Sequence, residues 1–255
     1  MLELRFLGQF DVRLNDQPVS IPARPAQSLL AYLALTAGTM HRREKLAGQF
    51  WLDATESNAR SYLRHELWRI RKALTKAGAD PDGFLIADDI AIGFEPQGDY
   101  WLDAREIQSP SGGQSPLGGM TPPLQNLQSL ISSLSLYRGE LLPGLYDDWV
   151  TLERERVQVV FESKMTRLLD ALRTEERWAD IIEWGERWIA LGHTPEEAYR
   201  AVMQAHAALG NRAQAAAVYQ RAVEQLERDL NVEPSPETQA LYQQVLAVCR
   251  RGITD

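Results

Sequence analysis

Apolar and polar residues alternate with period two at the start of the chain, in LELRFL at 2–7 and FDVRL at 10–14. Such alternation predicts strands with one buried face. Asn15-Asp16-Gln17-Pro18, between the second run and Val19-Ser20-Ile21, is turn chemistry, so the runs fold into a small antiparallel sheet. Pro22 and Pro25 stop the strands and the spacing becomes helical: Leu29, Leu30, Leu33 and Ala34 of AQSLLAYLALTAG share a face, closed by Gly38. After Thr39-Met40-His41, RREKLAGQFW predicts a short second helix whose Leu46, Phe50 and Trp51 pack against the first. The third helix spans 56–76, ESNARSYLRHELWRIRKALTK, with Thr55 or Ser57 able to cap it. At about 100° per residue, Ala59, Leu63, Leu67, Ile70 and Leu74 fall on one narrow stripe that wants a core. Asp80-Pro81-Asp82-Gly83 predicts a turn, and Phe84-Leu85-Ile86 and Ile90-Ala91-Ile92 around Ala87-Asp88-Asp89 predict a β-hairpin. Sheet, three helices and hairpin, in that order, predict an α+β winged helix-turn-helix over 1–105, the third helix entering the major groove and the hairpin wing lying along the phosphate backbone.

Periodicity then lapses. Ser109 to Pro123, SPSGGQSPLGGMTPP, is almost entirely Gly, Pro and Ser and predicts a flexible, exposed linker, taken as 106–123. Its glycines lack the lysine and preceding strand of a phosphate-binding loop. From 124 to 255 the pattern is helical throughout: Leu127, Leu130, Ile131 and Leu134 form one stripe, and a long amphipathic helix covers 149–173. Helices at about 178–191, 195–209, 212–230 and 236–250 follow, and a shift of about 35 residues overlays Trp184 on Tyr219 and Leu191 on Leu226. That period predicts an all-α tetratricopeptide-like helical array, an architecture that holds partners or dimerises.

Charge divides along the same boundary. The chain carries −8 overall, but residues 1–78 hold 12 Lys/Arg against 7 Asp/Glu, +5, which leaves −13 for the rest. A basic module beside an acidic one suits nucleic-acid binding joined to interaction or regulation. The excess concentrates on the third helix, where Ser57 to Lys76 holds six Lys/Arg against the single acid Glu66. A single cysteine, Cys249, excludes an intramolecular disulfide framework and a cysteine-based zinc site. No stretch approaches the ~18 uninterrupted apolar residues of a membrane span, and the alternating N-terminus is unlike a signal peptide, so a soluble cytoplasmic protein is expected.

The face opposite the apolar stripe carries the candidate contacts. Ser57, Asn58, Ser61, Arg64, His65, Trp68 and Lys72 lie on it, with Arg60 and Arg71 on one shoulder and Arg69 on the other. Arginine reading guanine edges is the commonest specific contact, which makes Arg64 and Arg60 the candidate base readers. Ser57, Ser61 and Arg71 suit phosphates, which position without specifying. Trp68 could stack on a sugar or thymine methyl, or fold back against the wing as core. Arg42, Arg43 and Lys45 open the second helix, where they either meet phosphate or keep a short helix soluble. The four histidines have no metal-ligand spacing, and paired acids such as Glu153/Glu155 and Glu227/Asp229 read as solvated helix faces. No nucleophile motif is present, and Trp178, Trp184 and Trp188 at helical spacing read as packing inside the array. No cofactor, metal or catalytic site is expected.

ARSYLRHELWRIRKAL at 59–74 resembles the third-helix signature of the Streptomyces antibiotic regulatory protein (SARP) family, whose DNA-binding part is an OmpR/PhoB-type winged helix. The opening LRFLGQFDVRLNDQPVSI, with Leu7-Gly8, resembles that family's start. LSLYRGELLPGLYDDWVTLERERV at 134–157 looks like the beginning of a bacterial transcriptional activation domain, and ALGNRAQAAAVYQRAVEQLERDLNVEPSPETQALYQQVL at 208–246 is similar to its last repeat and closing helix. The resemblance implies a sequence-specific DNA-binding transcriptional regulator, an activator that binds direct repeats in double-stranded DNA as a homodimer and touches RNA polymerase holoenzyme. It also implies that the region around Glu44 and Asp53 faces polymerase. The alternative is a protein-interaction scaffold, its winged helix a docking module and its helical repeats a trap for an effector or signalling partner.

Overall fold

The computed structural model of the chain describes residues 1–95, 97–109 and 123–251. Nearly all of the Gly/Pro/Ser-rich stretch expected to be a linker lies outside the described residues. The chain forms two compact units. The first comprises Met1–Ser111 with Ser135–Val160, the second Gly112–Leu134 with Phe161–Asp255.

In the first unit, β1 (Leu2–Arg5) pairs antiparallel with β2 (Asp11–Leu14), which pairs with β3 (Gln17–Pro18). Asn15 and Asp16 both take positive φ, 48° and 65°, so a two-residue turn joins β2 to β3 in the hand that matches strand twist. Pairing therefore begins at Gln17, earlier than the expected Val19. Val19 still donates to Val12 O at 2.7 Å, and Val19 and Ile21 are buried. The fourth strand, β7 (Tyr100–Leu102), lies parallel to β1 and leads into α4 (Asp103–Gln108). The pattern showed neither: three residues cannot display alternation, and a partner 98 residues away leaves no local mark. Buried Asp103 locks this edge, its carboxylate accepting the amides of Phe6 at 2.9 Å and Leu7 at 3.0 Å.

Three helices follow the first hairpin as expected: α1 (Arg24–Leu35), α2 (Arg43–Phe50) and α3 (Glu56–Lys76). Arg42 is not on α2. With His41 it forms β4, opposite Ile92 and Ala91 of β6 (Ala91–Phe94), which pairs with β5 (Leu85–Ala87) to make a three-stranded wing sheet. Gly38 sets this up, its φ of +87° turning the chain so that its amide reaches Phe94 O at 3.0 Å.

Ser135–Val160 folds onto this sheet. Gly8 donates to Glu140 O at 2.9 Å and Leu142 to Phe6 O at 2.8 Å, an antiparallel bridge centred on Leu7 and Leu141. The approach is close enough that a Cβ on Gly8, at φ +85°, would meet the Arg138 backbone at 3.0 Å. Arg154 of α6 (Asp148–Thr174) cements the segment by donating to Leu141 O, Leu142 O and Leu145 O at 2.6–2.8 Å. Trp149 packs edge-on against Tyr32 of α1 at 5.2 Å and lies 6.4 Å from the Phe50 ring of α2.

The second unit holds α5 (Pro123–Ser135), the later half of α6, then α7 (Trp178–Ala190), α8 (Glu196–Ala208), α9 (Arg212–Leu230) and α10 (Pro236–Arg251). The bounds expected for α7 to α10 hold to within a residue. Tyr199, Val202, Met203, Val218 and Ala222 form its core, with Ile182, Leu241 and Tyr242 packed around them. Trp184 and Trp188 are buried in packing, as the spacing implied. The whole is a winged helix followed by a tetratricopeptide-like array.

Candidate nucleic-acid interface

Helix α3 forms because its caps and its stripe agree. Thr55 Oγ1 accepts the Asn58 amide at 3.4 Å, while Glu56 in the first turn and Lys76 in the last complement the helix dipole. Ala59, Leu63, Leu67, Ile70 and Leu74 are all at most 5% exposed. By the area rule each larger side chain stabilises the fold by roughly 1.5–3 kcal/mol. With one face pinned so completely, the opposite face has a fixed presentation.

Along that face Ser57, Asn58, Ser61, Arg64, His65, Trp68 and Lys72 are exposed. Trp68 is 53% exposed, which rules out the reading in which it folds back as core. It is the centre of a stack instead: the His65 ring lies 5.8 Å away at 23°, and Lys72 Nζ sits 4.5 Å above the indole. Cation and rings so arranged offer both a positive charge and a flat apolar surface. Among the described residues Arg64 makes no ion pair, so its guanidinium is uncommitted.

Four other arginines are engaged. Arg60 Nη2 donates to Glu44 Oε1 at 3.0 Å and to Glu56, and Arg71 donates to Asp82 at 2.6 Å. Arg69 pairs with the buried carboxylate of Glu66 at 3.0 Å. Arg43, the first residue of α2, is tied to the wing: its amide donates to Ile90 O at 2.9 Å and its Nε to Asp88 O at 2.7 Å. In the same turn the amides of Ala91 and Ile90 hold the Asp88 carboxyl below its ordinary range. Arg42 projects from β4, exposed.

Between α3, the start of α2 and the hairpin runs a groove of about 1100 Å³. It gathers Arg42, Arg43, Ser57, Arg60, Arg64, Trp68 and Arg71 over a floor of Leu63 and Leu67. Asn58, Ser61, His65 and Lys72 are not among its lining residues. Glu44, Glu56, Ala87, Asp89 and Ile90 complete the lining; the last three belong to the expected wing, and none of the five was among the side chains expected to touch DNA. The spacing of Glu56 four residues before Arg60 signalled one of these pairs; Glu44, on another helix, left no signal. The hairpin from Phe84 to Phe94 contains no Lys or Arg, so it brings an exposed Ile90 and one aspartate, Asp89, to the groove rather than positive charge for a phosphate.

His41 lies beside this surface without joining it. Its Nε2 is 2.8 Å from Thr36 Oγ1 and its ring 5.0 Å from that of Tyr32, and burial, reinforced by Lys45, lowers its pKa. Among the described residues no cluster of His, Cys, Asp and Glu could hold a metal ion, and no helix is long and apolar enough to cross a membrane.

Comparison with known proteins agrees with this architecture. Residues 121–246 match the bacterial transcriptional activator domain family. The transcriptional regulatory proteins MoaR1 of Mycobacterium tuberculosis and of Mycobacterium bovis are each 24% identical over 252 residues, covering 96% of this chain and 79% of theirs. The solved structure of Mycobacterium tuberculosis EmbR in complex with low affinity phosphopeptide superposes with a TM-score of 0.70 at 20% identity. That match covers 96% of this chain, which spans 65% of the length of the solved one. Residues 121–246 are thus similar to the bacterial transcriptional activator domain, and the chain is similar over 96% of its length to transcriptional regulatory proteins, in line with the resemblance to the SARP family of transcriptional regulators.

Proposed function

We propose that the chain binds double-stranded DNA through the outer face of α3, as a homodimer on direct repeats, and contacts RNA polymerase to activate transcription. The observation that carries the DNA reading is the exposed surface of α3, where an unpaired Arg64 sits beside the His65, Trp68 and Lys72 stack over a fully buried stripe. In this reading Arg64 enters the major groove and reads a base edge, and Trp68 and Lys72 meet the sugar-phosphate border. Arg42, Ser57, Asn58 and Ser61 supply contacts that position the helix. Arg60, His65 and Arg71 flank them. The dimer, the repeats and the polymerase contact rest on family resemblance alone.

Selection of bound sequences from a random duplex pool, with the whole chain, tests the assignment of roles. Wild-type protein is expected to enrich a defined motif, Arg64→Ala to flatten preference at one position, by about 1–3 kcal/mol of discrimination, and Lys72→Ala to weaken all sequences alike. An unaltered motif with Arg64→Ala would remove that residue as a reader.

A further inference from the structure

The basic face of α3 carries its own counter-charges, and their placement is uneven. Arg64 is free, whereas the Arg60 guanidinium is gripped from two sides, by Glu44 of α2 at 3.0 Å and by Glu56 one turn earlier on α3. Both carboxylates, like Arg60, line the groove beside α3, and both are largely exposed, at 67% and 75%. Neither is buried, so burial does not explain their position.

Sequence-independent attraction between a protein and a duplex grows with the number of phosphates that its cations neutralise. An arginine already paired with two carboxylates contributes little: to meet a phosphate it must leave both, and both acids then face the polyanion. We propose that Glu44 and Glu56 are specificity-determining residues that act through Arg60, withholding its charge from the phosphate backbone. Among the described residues Arg64, Lys72 and the exposed Arg42 carry no such carboxylate partner and remain free to bind. Non-specific affinity is thereby kept low while the reading contact of Arg64 is untouched. This inference rests on the DNA-binding reading.

Titration of the whole chain and of a Glu44→Gln/Glu56→Gln variant onto a mixed-sequence duplex, over a series of salt concentrations, is the test. The variant is expected to bind more tightly at low salt, and its log K against log salt slope to steepen by about 0.9, one additional phosphate contact. Adding Arg60→Ala to that variant should return the slope to its wild-type value, which a general gain of two positive charges would not do. A slope unchanged in the variant, or a gain that survives Arg60→Ala, overturns the inference while leaving wild-type DNA binding in place. Absence of duplex binding by wild type and variant alike overturns the DNA reading and this inference together.

Discussion

At the scale of single residues, α3 separates two duties that the same helix must perform. Ile70 and Leu74, with no exposed surface, hold it; Arg64 and Trp68 point away. Ile70→Ala is therefore expected to cost about 2–5 kcal/mol in chemical denaturation, since it opens a cavity beneath the helix. A cost under about 1 kcal/mol would mean that the stripe is not what fixes the helix. His41 gives a residue-scale expectation in pH. Its folded pKa lies below the ordinary value, so the unfolded chain binds the proton more readily. Its contribution is present above the unfolded pKa, about 6.5, and is lost as pH falls through that value toward the folded one. Thermal unfolding at pH 7 and pH 5 should show a smaller loss for His41→Gln than for wild type. Much of this level could be read in advance: the buried stripe followed from spacing alone. Which cations carry partners could not, because Glu44 reaches Arg60 across 16 positions and from another helix.

Elements succeed where their length suffices for a pattern. The 21 residues of α3 and the 13 of α7 each display several turns of periodic burial, and their bounds were legible. Strand β4, with two residues, and β7, with three, are made by pairing with distant strands and so escaped notice. Between α7 and α8 the fit is tight: a Cβ added to Gly185 would stand 2.4 Å from Val202 Cγ2, itself fully buried. Small residues at this contact let the helix axes approach, and Gly185→Ala should destabilise the array by about 1–3 kcal/mol despite alanine's better helix propensity. A stabilised variant would show that the two helices can separate without loss.

For the whole molecule, the boundary drawn from composition and the boundaries drawn by packing differ in kind. Low complexity marks where a pattern lapses. It is silent on what a later segment packs against, because amphipathicity reports that a face is buried but not its partner. Ser135–Val160 lies beyond the Gly/Pro/Ser stretch, yet it hydrogen-bonds to Phe6 and Gly8 and buries Trp149 beside Tyr32. A fragment ending at 109 would expose the surfaces of Phe6, Leu7 and Tyr32 that this segment covers. Such a fragment is expected to be less stable to denaturant than the first unit within the full chain.

The central claim is that the outer face of α3 meets DNA. Its most direct test is the affinity of the intact chain for a duplex, measured as salt is raised from low to physiological concentration. If the account holds, log K falls linearly with log salt, and Arg64→Glu abolishes binding without altering the unfolding transition. Affinity that is absent at low salt, indifferent to salt, or unmoved by Arg64→Glu would contradict it.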